Sequence, residues 1–422
     1  MREMKDSGIE WVGQIPSTWT IKPIRAEFEE VTRKNSNGEV KTALKFTYGN
    51  IVKKNNFDSD EDAYVADTIL NYTVVTPGTI MLNGLNLNFD FVTQRIGLVK
   101  EIGTITSAYT AFRPLSGRVL SEFATYLLKS YDTCKAFHNM GGGVRKILNF
   151  SELKRHYIVY PEVVEQQRIV SFLDAQCVKI DTFSADIQTQ IDTLEQYKRS
   201  VITEAVTKGL NLDAEMKDSG IGWIGTIPTA WKVSRIKYEI LPLQRPVYPT
   251  DLVMTCFRDG EVTLRQNRRE DGFTVSFTEN GYQGVEVGDL VIHGMDAFAG
   301  AIGCSDSRGK ITPVVHVCKT TGNNRFFMYA LRSMAMNDVL MSFAEGIRVR
   351  SSDFRNFNKL GKFQIAVPSV DEQNEIVAHL DSKCTEIDAI IALKKQQLEI
   401  LSDYKNSIIY EYITGKKEVP LS

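Results

Sequence analysis

Several features that would mark a membrane, secreted or metal-binding protein are missing from these 422 residues. No apolar run approaches the roughly 20 residues of a transmembrane helix. The first residues, Met-Arg-Glu-Met-Lys-Asp, lack the apolar stretch of a signal peptide. None of the six cysteines forms a Cys-x-x-Cys pair, so we expect reduced, mostly buried thiols in a cytoplasmic protein, with no disulfides and no metal site.

Catalytic motifs are missing as well. The Asn/Asp-Pro-Pro-aromatic tetrad of an adenine methyltransferase is absent, and neither Asn-Pro nor Asp-Pro occurs. The stretch from Gly303 to Lys310 resembles a phosphate loop, but its spacing is one residue too long and Ile311 stands where Ser or Thr would bind magnesium. His316 and Cys318 lack the further ligands of a zinc site. We predict a chain that catalyses nothing itself and binds no cofactor.

What the sequence does contain is a repeat of itself. The segment Met4–Trp19 returns as Met216–Trp231, with eleven of sixteen positions identical. A second shared segment, beginning at Glu165-Gln166, returns at Glu372-Gln373. Internal repetition outranks local pattern when an architecture is assigned. The chain is therefore two copies of one unit, which suggests a target that also has two parts.

The net charge of −2 is unevenly distributed. Residues 165–207 carry four basic and seven acidic side chains, and residues 371–418 carry six and ten. The rest of the chain then has 40 basic and 35 acidic residues, a net of +5. This mild excess is a weak signal, but DNA binding needs only a local basic face.

Each half combines a mixed region with a long helix. In the mixed regions, short runs such as 44–48, 79–82, 272–277 and 289–292 are typical of strands, and 122–138 and 325–343 of helices. The fold class expected is α+β. In the helical segments, hydrophobic positions alternate gaps of four and three residues, the 3.5-residue period of a coiled coil. The pairing residues predicted are Ile169, Leu173, Ile180, Phe183, Ile187, Leu194, Tyr197, Ile376, Leu380, Ile387, Ile390, Leu401 and Tyr404.

The predicted seam is interrupted by polar residues, namely Gln176, Gln190, Lys383, Lys394 and Gln397. They either fix the register of the pair or face solvent, and the sequence does not decide between these alternatives. A helix of about 43 residues is about 64 Å long and needs a partner along its length. The other copy is the obvious partner. The short link between the first helix and the second mixed region favours an antiparallel pair related by a pseudo-twofold axis.

These motifs together resemble one known family. The pattern Gly-Ile-x-Trp-x-Gly-x-Ile-Pro-x-x-Trp at Gly8–Trp19 and Gly220–Trp231 is similar to the opening of each half of a type I restriction-modification specificity subunit. The helix entries at Pro161–Val170 and Pro368–Val377, both Pro-x-x-x-Glu-Gln-x-x-Ile-Val, resemble the same family, and the likeness covers the whole chain in order. The individual motifs are weak, but jointly they are specific.

The resemblance implies a fold and a role. The fold is two globular target recognition domains, expected at 1–160 and 211–367, joined by two conserved antiparallel coiled-coil helices at 161–210 and 368–418. The role is non-catalytic: each domain reads one half of a bipartite site in double-stranded DNA, and the helices set the gap and dock two modification subunits. Two restriction subunits complete the complex, and S-adenosylmethionine, ATP and Mg²⁺ are expected on those partners.

The DNA-contacting residues are predicted from side-chain chemistry. Glycine-rich loops with adjacent basic residues close each mixed region, and Asn or His follows a strand in each. A basic cluster in the second half suits phosphate. Any of these could equally be an ordinary solvated turn. The candidates are Arg145, Lys146, Arg348, Arg350, Asn83, Asn86, Asn88, Arg95, His293, Arg265, Arg268 and Arg269.

Three other interpretations remain open. The chain could be the specificity portion of a single-chain restriction-methylation enzyme, although the full repeat without a catalytic motif argues against this. It could be a coiled-coil scaffold that presents two protein-binding domains and never touches DNA. It could also be a hydrolase with an unrecognised site, which would be active without partners.

Overall fold

A computed structural model describes residues 2–54, 69–89, 91–92, 94–141, 146–268, 280–341 and 354–420. The chain divides into two compact units, which we call unit 1 (Met1–Ile187 with Gln396–Ser422) and unit 2 (Gln188–Lys395). Both boundaries fall inside long helices, so each unit contains part of both. The four-part division expected from the sequence stays a prediction. All six cysteines are free thiols, with Cys177 and Cys384 buried as expected.

The helices follow the same order in both halves. Among the described residues they are α1 (Ile24–Glu27), α2 (Ser121–Thr133), α3 (Phe150–Leu153), α4 (Val163–Lys208), α5 (Ile236–Glu239), α6 (Asn324–Met336), α7 (Phe357–Leu360) and α8 (Val370–Ile413). Each of the first four thus has a counterpart in the last four. None of the described helices is long and apolar enough to cross a membrane.

The strands of the first half lie in unit 1. They are β1 (Met4–Asp6), β2 (Gln14–Pro16), β3 (Thr20–Pro23), β4 (Phe28–Glu30), β5 (Leu44–Thr47), β6 (Asn50–Lys53), β7 (Thr73–Val75), β8 (Ile80–Leu82), β9 (Ile96–Leu98), β10 (Gly103–Ile105), β11 (Thr110–Pro114) and β12 (Tyr157–Tyr160). A central antiparallel sheet has the order β4-β11-β8-β9. Two-stranded pairs β1-β2, β3-β12, β5-β6 and β7-β10 surround it.

The strands of the second half repeat this plan in unit 2. They are β13 (Met216–Asp218), β14 (Thr226–Pro228), β15 (Lys232–Arg235), β16 (Ile240–Pro242), β17 (Met254–Cys256), β18 (Val262–Leu264), β19 (Gln283–Val285), β20 (Leu290–His293), β21 (Ile302–Cys304), β22 (Gly309–Ile311), β23 (Val315–Thr320) and β24 (Gln364–Val367). The central order is β16-β23-β20-β21, and the pairs correspond one by one. The repeat seen in two motifs therefore extends to the whole topology, although the predicted strand 272–277 lies outside the described residues.

The core of each unit joins the central sheet to the long helices. In unit 1, Ile80 and Phe112 of the sheet, Phe123 of α2 and Leu173 of α4 belong to one buried cluster. Helix α2 is also tied to α4 by a hydrogen bond, in which the Tyr126 hydroxyl donates to Asp174 Oδ1 at 2.7 Å. Because the sheet alone is too small to bury its inner face, the helices complete the fold.

Unit 2 is tied together by the same contact. The Tyr329 hydroxyl on α6 donates to Asp381 Oδ1 on α8, also at 2.7 Å. The buried cluster again combines sheet residues such as Ile292 with Phe326 and Leu380 of the helices. Residues that match between the halves therefore do the same structural work in both.

The two long helices run antiparallel within each unit. In unit 1, the rings of Phe172 and Tyr412 lie 4.5 Å apart and Lys405 pairs with Asp181 at 2.6 Å, so positions rise along α4 as they fall along α8. In unit 2, Lys394 Nζ donates to Gln190 Oε1 at 2.5 Å, and Lys198 pairs with Asp388 at 2.6 Å in the same descending order. The predicted direction is confirmed within both units.

The face that the helices bury differs from the predicted one at every second position. The predicted residues Ile169, Leu173, Ile180, Ile376, Leu380 and Ile387 are buried, and Ile187, Leu194 and Leu401 are half-buried. The buried positions that alternate with these residues each lie one residue later in the sequence than the predicted seam positions. On α4 and α8 the residues that fill them are Cys177, Ile191, Cys384 and Ile391, all of them buried.

Four predicted pairing residues are therefore wrong. Phe183, Tyr197, Ile390 and Tyr404 all lie exposed, and Phe183 leaves 61% of its surface open. Alternating gaps of four and three residues fit two registers, which share every second seam position and differ by one residue at the positions between. Packing against the mixed regions buries the register that was not predicted. Among the polar residues, Gln190 and Gln397 face solvent, and Lys394 is half-buried.

Candidate nucleic-acid interface

The shared Glu-Gln motif at each helix entry is structural in both units. In unit 1 the buried Gln166 side chain accepts from the Leu120 N–H at 2.8 Å and donates to the carbonyls of Arg118 and Pro161 at 2.7 and 2.8 Å. In unit 2 the Gln373 side chain accepts from Asn323 N–H at 2.9 Å and donates to the Pro368 carbonyl at 3.1 Å. These amides join the helix entry to the mixed region.

The neighbouring glutamate accepts a hydrogen bond from the tryptophan that is repeated in both halves. The buried indole N–H of Trp19 donates to Glu165 Oε1 at 3.4 Å, and that of Trp231 donates to Glu372 Oε2 at 2.9 Å. Each Trp also meets the glycine that ends a long helix: a Cβ on Gly415 would lie 2.9 Å from the Trp19 ring. Since Gly415 has a φ of +73° and no space for a side chain, the helix ends there. The repeated motifs thus form the frame that holds the variable loops.

Two of the predicted loops meet at one edge of the central sheet in unit 1. Gly84 follows β8, and its carbonyl accepts from the Leu148 N–H at 2.9 Å, where the chain returns from the glycine-rich loop. The Leu87 N–H donates to the Lys146 carbonyl at 3.3 Å. A Cβ on Gly84 would overlap the Leu148 carbonyl oxygen, so only glycine permits this approach.

Unit 2 repeats the arrangement with other side chains. Gly294 follows β20, and its carbonyl accepts from the Phe354 N–H at 2.7 Å. A Cβ there would lie 2.7 Å from the Val314 carbonyl oxygen and 3.1 Å from Arg355 N. The same backbone junction therefore holds a loop after the strand and a returning segment in both units.

Arg95 is a correction to the predicted DNA contacts. Its side chain is completely buried, and its guanidinium donates to the carbonyls of Asn83 and Leu85 at 3.0 and 2.7 Å. Its backbone N–H donates to Asp132 Oδ2 at 2.7 Å. A side chain without exposed surface cannot contact a base, so Arg95 supports the loop from beneath.

The other predicted residues of unit 1 surround this support. Asn83 is half-buried and accepts from the Leu85 N–H at 3.3 Å, while Asn86 is exposed with a φ of +54°. Asn88 is half-buried, and Lys146 is exposed with its Nζ 3.4 Å from the His138 carbonyl. Arg145 lies outside the described residues. Asn86 and Lys146 thus offer surface to a ligand on one edge.

In unit 2, His293 holds its own loop. Its Nδ1 accepts from the backbone N–H groups of Met295 and Asp296 at 3.3 and 3.1 Å, which assigns the ring proton to Nε2. Burial lowers the pKa of His293, partly offset by Asp296, so the ring is neutral at pH 7 and is not a cation for phosphate.

The predicted basic cluster of unit 2 is divided. The half-buried Arg265 donates through Nε to Thr255 Oγ1 at 3.1 Å. Arg268 pairs with Asp259 at 2.7 Å and with Glu261 at 2.9 Å, and it stacks over the Phe257 ring. Two carboxylates already offset its charge, so a phosphate contact by Arg268 stays a prediction. Arg269, Arg348 and Arg350 lie outside the described residues.

A third loop, the tip of a hairpin, also lies at this edge in both units and was not predicted from the sequence. In unit 1 the β5–β6 turn carries Tyr48, of which 74% is exposed. In unit 2 the β17–β18 turn carries Arg258, whose Nη2 donates to Asp296 Oδ1 at 2.9 Å. Each tip contacts a strand glycine: a Cβ on Gly303 would overlap the Gly260 carbonyl oxygen, and one on Gly97 would lie 3.2 Å from that of Gly49. Exposure is visible only in the folded chain, so no signal in the sequence identified these tips.

No group of three or more His, Cys, Asp and Glu residues that could hold a metal occurs in the described part of the chain. The candidate interface is thus built of loops, aromatic and basic side chains and backbone groups. Such a surface can bind, position and discriminate a ligand, and the groups gathered there are those that contact bases and phosphates in DNA.

Comparisons with known proteins find relatives over nearly the full length of the chain. No family model matches the chain. A putative type I restriction enzyme MjaX specificity subunit of Methanocaldococcus jannaschii is 23% identical over 97% of this chain and 96% of its own length. A solved structure from work on the assembly and conformational transition of a type I restriction-modification system superposes with a TM-score of 0.66 at 14% identity, over 96% of this chain and 99% of the other. Over nearly its whole length the chain therefore resembles a type I specificity subunit in sequence and a protein of a type I restriction-modification system in fold.

Another solved structure, the HsdS subunit from Thermoanaerobacter tengcongensis, aligns over 96% of this chain and 98% of its own at 13% identity, with a TM-score of 0.44. The match with a TM-score of 0.66 covers both chains almost from end to end. The fold that the two share is therefore the duplicated architecture and not one domain alone.

Proposed function

We propose that this chain is a specificity subunit that gives a type I restriction-modification complex its DNA sequence preference, with each unit reading one half of a bipartite site. The observation that carries the proposal is the pair of equivalent edges. In both units the same three backbone elements converge: the loop after a central strand, the segment that returns to it, and the tip of a hairpin. The first two are joined by the hydrogen bond between Gly84 and Leu148 in unit 1 and by that between Gly294 and Phe354 in unit 2. A shared frame with unlike surface residues suits two unlike half-sites.

The surface residues differ in chemical kind. Unit 1 presents Tyr48 and the amide of Asn86, while unit 2 presents Arg258. An amide suits adenine, and a guanidinium suits guanine, because each can form two hydrogen bonds to the major-groove edge of its base. The two half-sites should accordingly differ in sequence.

The long helices are the proposed docking surface for two modification subunits. Within unit 1, Phe183, Ile400 and Tyr404 are exposed on them, and within unit 2, Tyr197 and Leu393 are exposed. Large apolar side chains left open on a helix that already pairs through another face are typical of a protein interface. Two restriction subunits would join this complex in turn.

The cofactors belong to those partners in this proposal. S-adenosylmethionine would serve the modification subunits, and ATP with Mg²⁺ the restriction subunits. This subunit would supply no reacting group, only the position of the DNA. Since the substrate is genomic DNA, we place the complex in the cytoplasm.

The proposal is tested by duplex binding of the complex with its modification subunits, before and after Arg145→Ala and Arg348→Ala. We expect the double variant to lose about one to two phosphate contacts, seen as weaker binding and a shallower dependence of log K on log salt. Arg25→Ala, at an exposed arginine on α1 outside the docking helices and the proposed DNA-contact residues, is the matched control and should leave binding unchanged.

The same measurement separates the alternatives. A scaffold that never touches DNA predicts no specific binding and no effect of either arginine. A hydrolase predicts turnover by the purified chain without partners. Either outcome would remove the DNA-reading role.

A further inference from the structure

The hairpin tip of unit 2 carries an arginine in an unusual setting. Arg258 leaves 68% of its side-chain surface exposed, yet its Nη2 is held by Asp296 Oδ1 at 2.9 Å. We propose that Arg258, oriented by Asp296, reads a guanine in the half-site bound by unit 2. This inference rests on the proposed function and assigns a base-reading residue within it.

The backbone beneath Arg258 is closely packed. Gly260 has a φ of +94°, and a Cβ there would overlap the guanidinium of Arg332. Arg332 Nη1 in turn donates to the carbonyls of Gly300 and Ile302 at 3.3 and 3.4 Å. A Cβ on Gly300 would lie 2.6 Å from the Arg258 carbonyl oxygen. The tip is therefore seated on two glycines and one supporting arginine, and it is preorganised for a ligand.

The partner of Arg258 is fixed as well. The Asp296 N–H donates to His293 Nδ1 at 3.1 Å, which ties the carboxylate-bearing residue to the end of β20. An ion pair that is as exposed as this one contributes little to stability. The pair therefore contributes little to the stability of the fold. Its effect is to orient the planar guanidinium at the tip of the turn.

The remaining donors of Arg258 match guanine. A guanidinium has five N–H groups, of which Asp296 occupies one, and the open edge can donate to O6 and N7 of guanine. The nearby Arg268 differs in this respect because Asp259 and Glu261 both engage it and Phe257 lies under its plane. Because Arg268 is itself a candidate for phosphate contact, the control is Arg235, an exposed arginine at the end of β15.

The corresponding tip in unit 1 carries Tyr48, which has no guanidinium. Loss of the arginine should therefore alter one half-site and leave the other unchanged. This asymmetry distinguishes base reading from a general contribution to DNA affinity.

The test is methylome sequencing of an unmethylated host that expresses the modification subunit with wild-type chain, R258A, R258K or R235A. For R258A we expect discrimination at one guanine of one half-site to fall about 10- to 100-fold. R258K should relax the same position, because lysine keeps the charge without the planar fork. R235A should give the wild-type motif.

Several outcomes would overturn the assignment. An unchanged motif in R258A, relaxation in both half-sites, or uniform loss of methylation by a folded protein would each exclude base reading by this residue. Thermal unfolding of the purified variants checks folding, and R258K decides the question if R258A is unstable. A wild-type chain that directs no bipartite motif would instead refute the proposed function itself.

Discussion

At the scale of single residues, the side chains repeated between the halves support the fold, and the unlike ones face outward. Gln166 and Gln373 occupy the same position and hold the chain in the same way through buried amide contacts. An amide that satisfies several buried backbone groups leaves them unpaired when it is removed. Repetition in the sequence thus indicates structural work here, not DNA contact.

Replacement of Gln166 by Leu tests this role. The change removes three hydrogen bonds and leaves the Leu120 N–H without its acceptor, so we expect the free energy of unfolding of unit 1 to fall by about 2–4 kcal/mol. Gln167→Leu, on the exposed side of the same turn, should change it by less than about 0.5 kcal/mol. Urea unfolding followed by circular dichroism measures both. Equal effects would show that the amide contacts contribute nothing particular.

Arg95 shows why residue roles are hard to predict from sequence. An arginine after an Asn/Gly-rich loop has the chemistry of a guanine reader, but chemistry does not reveal burial. The carbonyls of Asn83 and Leu85 enclose it, and these partners come from ten and twelve residues earlier. Arg258 is the opposite case, since only the fold brings Asp296 to it from 38 residues away.

At the scale of elements, the sequence predicted the long helices well and their buried face only in part. The 3.5-residue period and the antiparallel direction are confirmed within each unit. The predicted register is wrong at Phe183 and Tyr197. Large hydrophobic residues at these positions are as compatible with a buried helix seam as Cys177 and Ile191 are. Which of the two registers is buried depends on tertiary contacts with the mixed regions, which periodicity does not contain.

The observed register makes a prediction of its own. Ile191→Ala, at a position only 2% exposed, should lower the free energy of unfolding by about 2–4 kcal/mol through the cavity it leaves. Tyr197→Ala, at an exposed position on the same helix, should change it by less than about 0.5 kcal/mol. Chemical denaturation of both variants decides the register. A larger loss for Tyr197→Ala would favour the face predicted from sequence.

At the scale of the whole molecule, the repeat was the most informative sequence signal. Two short motifs were enough to predict duplication, and within the described residues each strand and α-helix of the first half has a counterpart in the second. The recognition edges were predicted only in outline. Their loops come from three separate places in each half, and the hairpin tips at Tyr48 and Arg258 carry no motif that would connect them to the rest.

In the proposed function, the long helices set the gap between the two half-sites. Three heptads add about 31 Å to a helix at about 1.5 Å per residue. This length matches about nine base pairs at about 3.4 Å each, close to one turn of DNA. Whole heptads keep the seam on its face. Inserting three after Ile187 and three after Lys395 therefore changes length with little change in how the recognition edges face the duplex.

The central claim is that one chain reads two unlike half-sites at a distance fixed by its helices. The direct measurement is methylome sequencing of a host that expresses the modification subunit with either the wild-type chain or this insertion variant. We expect adenines methylated on opposite strands of one asymmetric bipartite motif, and in the variant the same two half-sites with a gap longer by about nine base pairs. A continuous motif, two identical half-sites, or altered half-sites with an unchanged gap would contradict the account.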